Sequence, residues 1–241
     1  MMSRSILHGA CALAAVVLAG ACGSGVLGND TLTGVTTGGG GSVGTSANYT
    51  GEIGDSLKHG TISITVSPSL GVTGSLTFAG GPTIPVTGTL DTAAAAMHAS
   101  GSGYTISASA NAGTLGGSYT GPGVNGFLVA TSDSLTGMTH NTYCGVYTST
   151  NSNGRFTMQV LSSGDAGGFV VQTSGTAVSS FFSGTVISNT TLTAVTNFGI
   201  GISGSVSADL STITGSYAPP VAGSSTPGAA TGQFSATTGG C

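Results

Sequence analysis

Gly60-Thr61-Ile62-Ser63-Ile64-Thr65-Val66 alternates residue by residue, with Ile62, Ile64 and Val66 on one side and Thr61, Ser63 and Thr65 on the other. Side chains of an extended chain point alternately to opposite faces, so this run reads as a strand with one face in a core and the other in water. The pattern returns 94 residues later as Gly154-Arg155-Phe156-Thr157-Met158-Gln159-Val160, and Tyr49-Thr50-Gly51 returns at the same offset as Tyr143-Cys144-Gly145. Further along, Thr87-Gly88-Thr89-Leu90 matches Ser183-Gly184-Thr185-Val186, and Ile106-Ser107-Ala108-Ser109 matches Ile202-Ser203-Gly204-Ser205, both at 96. Gly117-Ser118-Tyr119 meets Gly215-Ser216-Tyr217 at 98. Offsets that drift one way while inward residues keep matching inward ones mark a duplicated unit of about 90 residues.

Around these segments, short period-two runs recur near 71–78, 84–90, 103–110, 114–120, 126–131, 154–160, 168–174, 180–188, 190–196, 198–207, 211–218 and 231–237, divided by Gly, Pro, Asn and Asp. The fold class is all-β. Composition agrees, because only 4% of the 241 residues are charged, against roughly 25% in ordinary soluble domains. With so few strong helix formers, all-α and α/β architectures are excluded. Ala93 to Ser100, capped by Asp91 or Thr92, is the single segment predicted as a short helix. An apolar content of 39% supplies enough surface to bury, so the body is not a disordered chain. Each unit has room for seven or eight strands, and brief connections favour an antiparallel meander that curls shut to protect its edges. Two small barrels or sandwiches follow, or one larger two-sheet body built from both. Gly88, Gly117, Gly184 and Gly215 fall inside strands, where a closed sheet must coil tightly.

The first residues read as an address. Arg4 precedes an apolar run from Ala10 to Ala19 that ends in Ala19-Gly20-Ala21-Cys22, the layout of a secretory signal with a small-residue cleavage site. Ala19-Gly20-Ala21-Cys22 also resembles the bacterial lipoprotein box, in which the cysteine is acylated and becomes the mature N-terminus. Ordinary signal peptidase would cut the same bond, so Cys22 begins the mature chain under either reading. Acylation is preferred here, since otherwise an exposed thiol would stand unpaired in an oxidising compartment. A Gly/Ser/Thr-rich tether follows to residue 46, with a root-mean-square span of about 25–30 Å. Within it, Gly28-Asn29-Asp30-Thr31-Leu32-Thr33-Gly34 resembles one turn of the calcium-binding nonapeptide repeats of secreted toxins. Those sites draw ligands from successive turns, so a single copy reads as linker. The expected organisation is signal peptide 1–21, anchor site and tether 22–46, first β unit 47–140 and second β unit 141–241.

Cys144 opens the second unit and Cys241 lies at its tail, neighbours in a meander that closes on itself. A disulfide between them is expected in an exported protein. The first unit has Thr50 where the second has Cys144.

Gly117-Ser118-Tyr119-Thr120-Gly121-Pro122, followed by Gly126-Phe127, resembles the closing-strand signature of transferrin-binding-protein B and factor-H-binding surface lipoproteins. Gly215-Ser216-Tyr217-Ala218-Pro219 with Gln233-Phe234 is a looser second copy. The resemblance implies paired β-barrel lobes and lipid-anchored display on a Gram-negative surface. This chain departs from those proteins in its scarcity of charge and in lacking an acidic residue after the Gly-Pro step, so no host-protein ligand is carried over.

Catalytic sets are sparse. Gly54-Asp55-Ser56-Leu57 reproduces the tetrapeptide of a family of serine esterases, whose chemistry also needs a helix-flanked parallel sheet, oxyanion donors and a late Asp-x-x-His pair. Asp133 and His140 have the wrong spacing for that pair. His59, His98 and His140 lack zinc-ligand spacing, apart from the proximity of Asp55 to His59. No metal and no cofactor is expected. The tyrosines Tyr49, Tyr119, Tyr143, Tyr147 and Tyr217 read as barrel-wall residues with their hydroxyls at the rim. Glu52, Asp55, Lys58 and His59 form the one charged cluster of the body and are its candidate polar site. Lys58 and Arg155 are the exported basic residues, too few to neutralise a polyanion, so nucleic acid is excluded as a partner. The expected function is that of a non-enzymatic, lipid-anchored envelope protein at the outer membrane or cell surface. The membrane is met through the N-terminal lipid, and the body serves a protein or glycan ligand or a structural role. The alternatives are an integral outer-membrane barrel, whose strands would need about 9–11 residues and an outward apolar band, and a secreted serine esterase.

Overall fold

A computed structural model describes residues 46–111, 113–132, 139–175, 179–188, 190–218 and 232–241. The predicted signal peptide, Cys22, the tether up to residue 45, and Asp133 lie outside the described residues. The first eight strands are β1 (Ala47–Gly54), β2 (His59–Val66), β3 (Gly71–Phe78), β4 (Thr83–Asp91), β5 (Ala96–Gly101), β6 (Tyr104–Asn111), β7 (Thr114–Gly121) and β8 (Val124–Ser132). Each pairs antiparallel with the next, and β1 closes on β8 with Tyr49 opposite Ser132 and Gly54 opposite Phe127. The next eight repeat the plan: β9 (His140–Ser149), β10 (Ser152–Leu161), β11 (Asp165–Gly175), β12 (Ser180–Ile187), β13 (Thr191–Thr196), β14 (Gly201–Val206), β15 (Thr212–Ala218) and β16 (Gly232–Thr238). Here β9 closes on β16, with Cys144 opposite Thr237. The all-β duplication is thus realised as two eight-stranded meander barrels.

The pairing registers make the duplication explicit. Tyr49 faces Ile64 as Tyr143 faces Met158, and Tyr119 faces Gly126 as Tyr217 faces Gly232. In β2 the inward residues Gly60, Ile62, Ile64 and Val66 are buried while Thr61 and Ser63 are exposed. Such alternation fills both barrels with side chains. Ile53, Ile62, Ile64, Leu76, Met97 and Leu128 centre the first core. Phe156 centres the second, stacked on Phe234 at 4.3 Å between ring centroids and on Phe182 at 5.4 Å. Outward faces carry Ser and Thr, paired in ladders such as Thr61–Thr77–Thr83 and Thr193–Ser203–Ser216–Gln233.

Coiling demands the in-strand glycines. A Cβ on Gly117 would run into the carbonyl oxygen of Ser107 across the ladder, and one on Gly215 into that of Ser203.

The helix expected at 93–100 does not form. Asp91 Oδ1 accepts hydrogen bonds from the backbone N–H groups of Ala93 (2.9 Å) and Ala94 (3.1 Å), closing a side-chain-capped turn. Ala95 then takes a positive φ of 49° and the chain reverses into β5. Met97 and Ala99 are needed inside the barrel, and that packing overrides the helical preference of four alanines.

The barrels meet side on. Val129 of β8 packs with Phe169 and Val171 of β11, flanked by Phe127 and Phe181, whose rings lie 6.5 Å apart. All five are on the outer walls of their barrels, and Gly54, Gly116 and Gly167 admit the close approach.

Candidate functional site

The hairpin joining β1 to β2 carries the charged cluster, and its geometry follows from Asp55. Its Oδ1 accepts the backbone N–H groups of Leu57 and Lys58, each at 2.7 Å, which folds the turn back on itself. Its Oδ2 accepts the hydroxyl of Tyr119 at 2.9 Å, fastening the turn to the mouth of the first barrel. Burial, and then the neighbouring Asp55 charge, hold the Tyr119 phenol well above its ordinary range. Asp55 is only 3% exposed and both its oxygens are engaged, so it is a structural acid. Ser56, Leu57 and Lys58 stand exposed at the tip.

Glu52 lies elsewhere. On the outer face of β1 it is covered by the second barrel, and its carboxylate accepts the backbone N–H of Cys241. Desolvation dominates, pushing its pKa up to about 7 against the partial relief that this hydrogen bond gives. Cys144 and Cys241 form a disulfide with their Cα atoms 5.4 Å apart, so the bond that clasps the second barrel also abuts the first. Asp55 and His59 line a cleft of about 440 Å³ opposite Arg155, Thr157 and the disulfide. The four predicted residues are therefore not one constellation: Asp55 and His59 share the cleft, Glu52 is tied to Cys241, and Lys58 faces water. Arg155 also lines the cleft, its Nη1 buried with no hydrogen-bond partner, a placement that its position in the repeated strand does not reveal. Among the described residues, no group of three or more His, Cys, Asp or Glu stands close enough to hold a metal ion.

Two concavities of the second barrel differ sharply in character. One is exterior and broad, about 720 Å³ over Gly204 and Gly215, edged by the hydroxyls of Ser203, Ser205, Thr214 and Ser216. The other is an apolar chamber of about 180 Å³ at one end of the lumen, walled by Phe156, Phe234, Ile202 and Val170. Tyr147, Tyr217 and Ser180 border this chamber through their apolar atoms, while their hydroxyls are buried, with no hydrogen-bond partner of good geometry. Burial raises the Tyr147 pKa, and the nearby Ser152 hydroxyl offsets part of that effect. Nothing in the alternation of β9, β12 or β15 announces the chamber. It arises from residue sizes on strands all around the barrel, from β9 to β16.

No protein-family model matches this chain, and no curated protein matches it. Among solved structures it is similar to a mutant of transferrin binding protein B, a vaccine antigen from Haemophilus parasuis Hp5. The TM-score is 0.30 and the identity 9%, over 82% of this chain and 77% of that one. A superposition that loose fixes neither topology nor ligand.

Proposed function

We propose that this is a non-enzymatic, lipid-anchored protein of the bacterial envelope, acylated at Cys22, whose two-barrel body is held beyond the membrane to engage a protein or glycan ligand. The observation that carries this reading is the polarity of the barrels, with aliphatic and aromatic residues inside and Ser/Thr ladders outside. A barrel that spans a bilayer needs the reverse, an apolar band facing lipid. The uncharged hydroxyl surface, including the concavity over Gly204 and Gly215, suits a partner met by neutral hydrogen bonds. Esterase chemistry lacks support, because Asp55 is consumed by the hairpin and Tyr119, and Ser56 sits on an exposed turn. A Ser56→Ala variant is expected to leave any hydrolysis of p-nitrophenyl esters unchanged.

Intact-mass measurement with and without reduction, joined to carbonate extraction of membranes, tests the proposal. A diacyl or triacyl mass on Cys22, with a body that leaves the membrane once the tether is cut by protease, is the expected result. An unmodified Cys22, or a body that stays in the carbonate pellet after cleavage, would overturn it.

A further inference from the structure

The duplication allows the two lumens to be compared position by position. In the first barrel the end beneath the β1–β2 hairpin is plugged: Phe78, Tyr104 and Tyr119 form an aromatic cluster with centroids 5.6–6.5 Å apart, and the Tyr119 hydroxyl is held by Asp55. The pairing registers place Gln172 in the second barrel where Phe78 stands in the first, since Gly60 faces Phe78 as Gly154 faces Gln172. Gln172 does not plug the end, because its Nε2 donates to the Gly175 carbonyl. Ile200 stands where Tyr104 stood, two residues before the matched pair Ile106 and Ile202. Val170 takes the place of Leu76 and Ser180 that of Ile84, since Leu76 faces Ile84 as Val170 faces Ser180. Of the three plugging rings only Tyr217, the counterpart of Tyr119, is kept.

An apolar chamber of about 180 Å³ thus opens where its twin is filled. Phe156 and Phe234, in the places of Ile62 and Leu128, wall its inner side. Val170, Ile200 and Tyr217 are half-buried and form the rim through which a small molecule would pass. The neighbouring polar atoms are withheld from the space. Thr196 Oγ1 accepts the backbone N–H groups of Phe198 at 3.3 Å and Ile200 at 3.0 Å, and the hydroxyls of Tyr147, Tyr217 and Ser180 are buried in the wall. What stays accessible is almost wholly hydrocarbon. Water would lack the polar partners it needs there, and an empty chamber forfeits the dispersion contacts that side chains supply in the first barrel.

We infer that this end of the second barrel's lumen is a binding site for a small uncharged hydrocarbon, a single ring of about the size of toluene. The interior of a closed eight-stranded barrel is either filled by side chains or holds one small ligand, and this chain carries one lumen of each kind. An apolar cavity of about 150 Å³ lined by Leu, Ile and Phe stays dry and accepts benzene, so a chamber of about 180 Å³ with the same kind of lining has room for one ring and a methyl group. Among the described residues no Asp, Glu, Lys or Arg lines the chamber, so an ionised ligand would be stripped of water with no counter-charge. The site is independent of how the chain is anchored.

Calorimetric titration of the purified full chain with toluene, phenol and benzoate is the test. One toluene is expected per chain, with a dissociation constant of about 0.1–1 mM. Phenol, which carries a hydroxyl where toluene has its methyl, is expected to bind at least about fivefold more weakly, and benzoate not measurably. Ile200→Tyr restores the first barrel's plug and is expected to abolish toluene binding while the chain keeps its β-sheet circular dichroism. Val170→Leu, a milder filling with the first barrel's residue, is expected to weaken binding at least about threefold. No saturable toluene binding by the parent chain, phenol binding as tightly as toluene, measurable benzoate binding, or unaltered toluene binding in either variant once folded would overturn the inference.

Discussion

Glu52 is an acid placed under a neighbouring barrel, and its titration should be visible in stability. Its pKa rises from 4.5 to about 7 on folding, so between those values the folded chain holds a proton that the unfolded chain has lost. Stability therefore falls as pH rises through that window, by up to about 3 kcal/mol. Glu52→Gln keeps an acceptor for the Cys241 N–H and removes the ionisation. The variant is expected to match the parent at pH 4 and exceed it at pH 8 in urea titrations, a comparison that separates Glu52 from His59 and Arg155 in the adjoining cleft. Gly117 makes a steric case at the same scale. Its Cβ would strike the Ser107 carbonyl, so Gly117→Ala should cost about 1–3 kcal/mol or prevent folding, read as a fall in the urea midpoint. The resembled Gly-x-Tyr signature acquires a cause here as well. Tyr119 lies flat across Gly126 and Tyr217 across Gly232, and a side chain on either glycine would displace the ring.

Strands differ in how openly they declare themselves. Those covered on one face only, such as β2, show plain alternation and were legible. The interface strands, placed in the sequence among the alternating runs, instead hold continuous apolar stretches, Phe127-Leu128-Val129-Ala130 and Phe169-Val170-Val171, as strands buried on both faces must. Such runs mark the walls where the two units meet, which alternation alone does not single out. β9 is found through its match to the first unit rather than through its own alternation, because its inward residues Tyr143, Gly145 and Tyr147 are not aliphatic. β5 was hidden by the alanines of the turn before it, where one carboxylate of Asp91 decided the local structure. Removing the interface ring by Phe169→Ala is expected to cost about 3 kcal/mol or more, measured by chemical denaturation, with both barrels retaining β-sheet circular dichroism under native conditions. The clasp between β9 and β16 behaves as a chain constraint. With its cysteines 97 positions apart in sequence, the Cys144→Ser, Cys241→Ser double variant is expected to lose about 4–5 kcal/mol in the chain-entropy model, and reduction of the parent should reproduce that loss.

At the scale of the whole molecule, scarce charge and abundant glycine are two sides of one solution. Sheets that close have no free edges to guard with lysine, so hydroxyls suffice outside, while inward glycines let the walls coil tightly enough to shut. Composition and periodicity carried the reading as far as a duplicated all-β body. The chamber, the cleft and the apposition of the barrels depend on which walls face each other, and that is set by closure rather than by any local pattern. The most direct test of the outward-wet, inward-filled barrels is labelling of single-cysteine variants in intact envelopes with a membrane-impermeant maleimide. Substitutions S63C, S107C and S203C, spread over both barrels on exposed outward positions, should react as fast as L57C at the hairpin tip, while I62C stays silent. A protected belt among the outward positions, with reaction at position 62, would contradict the account.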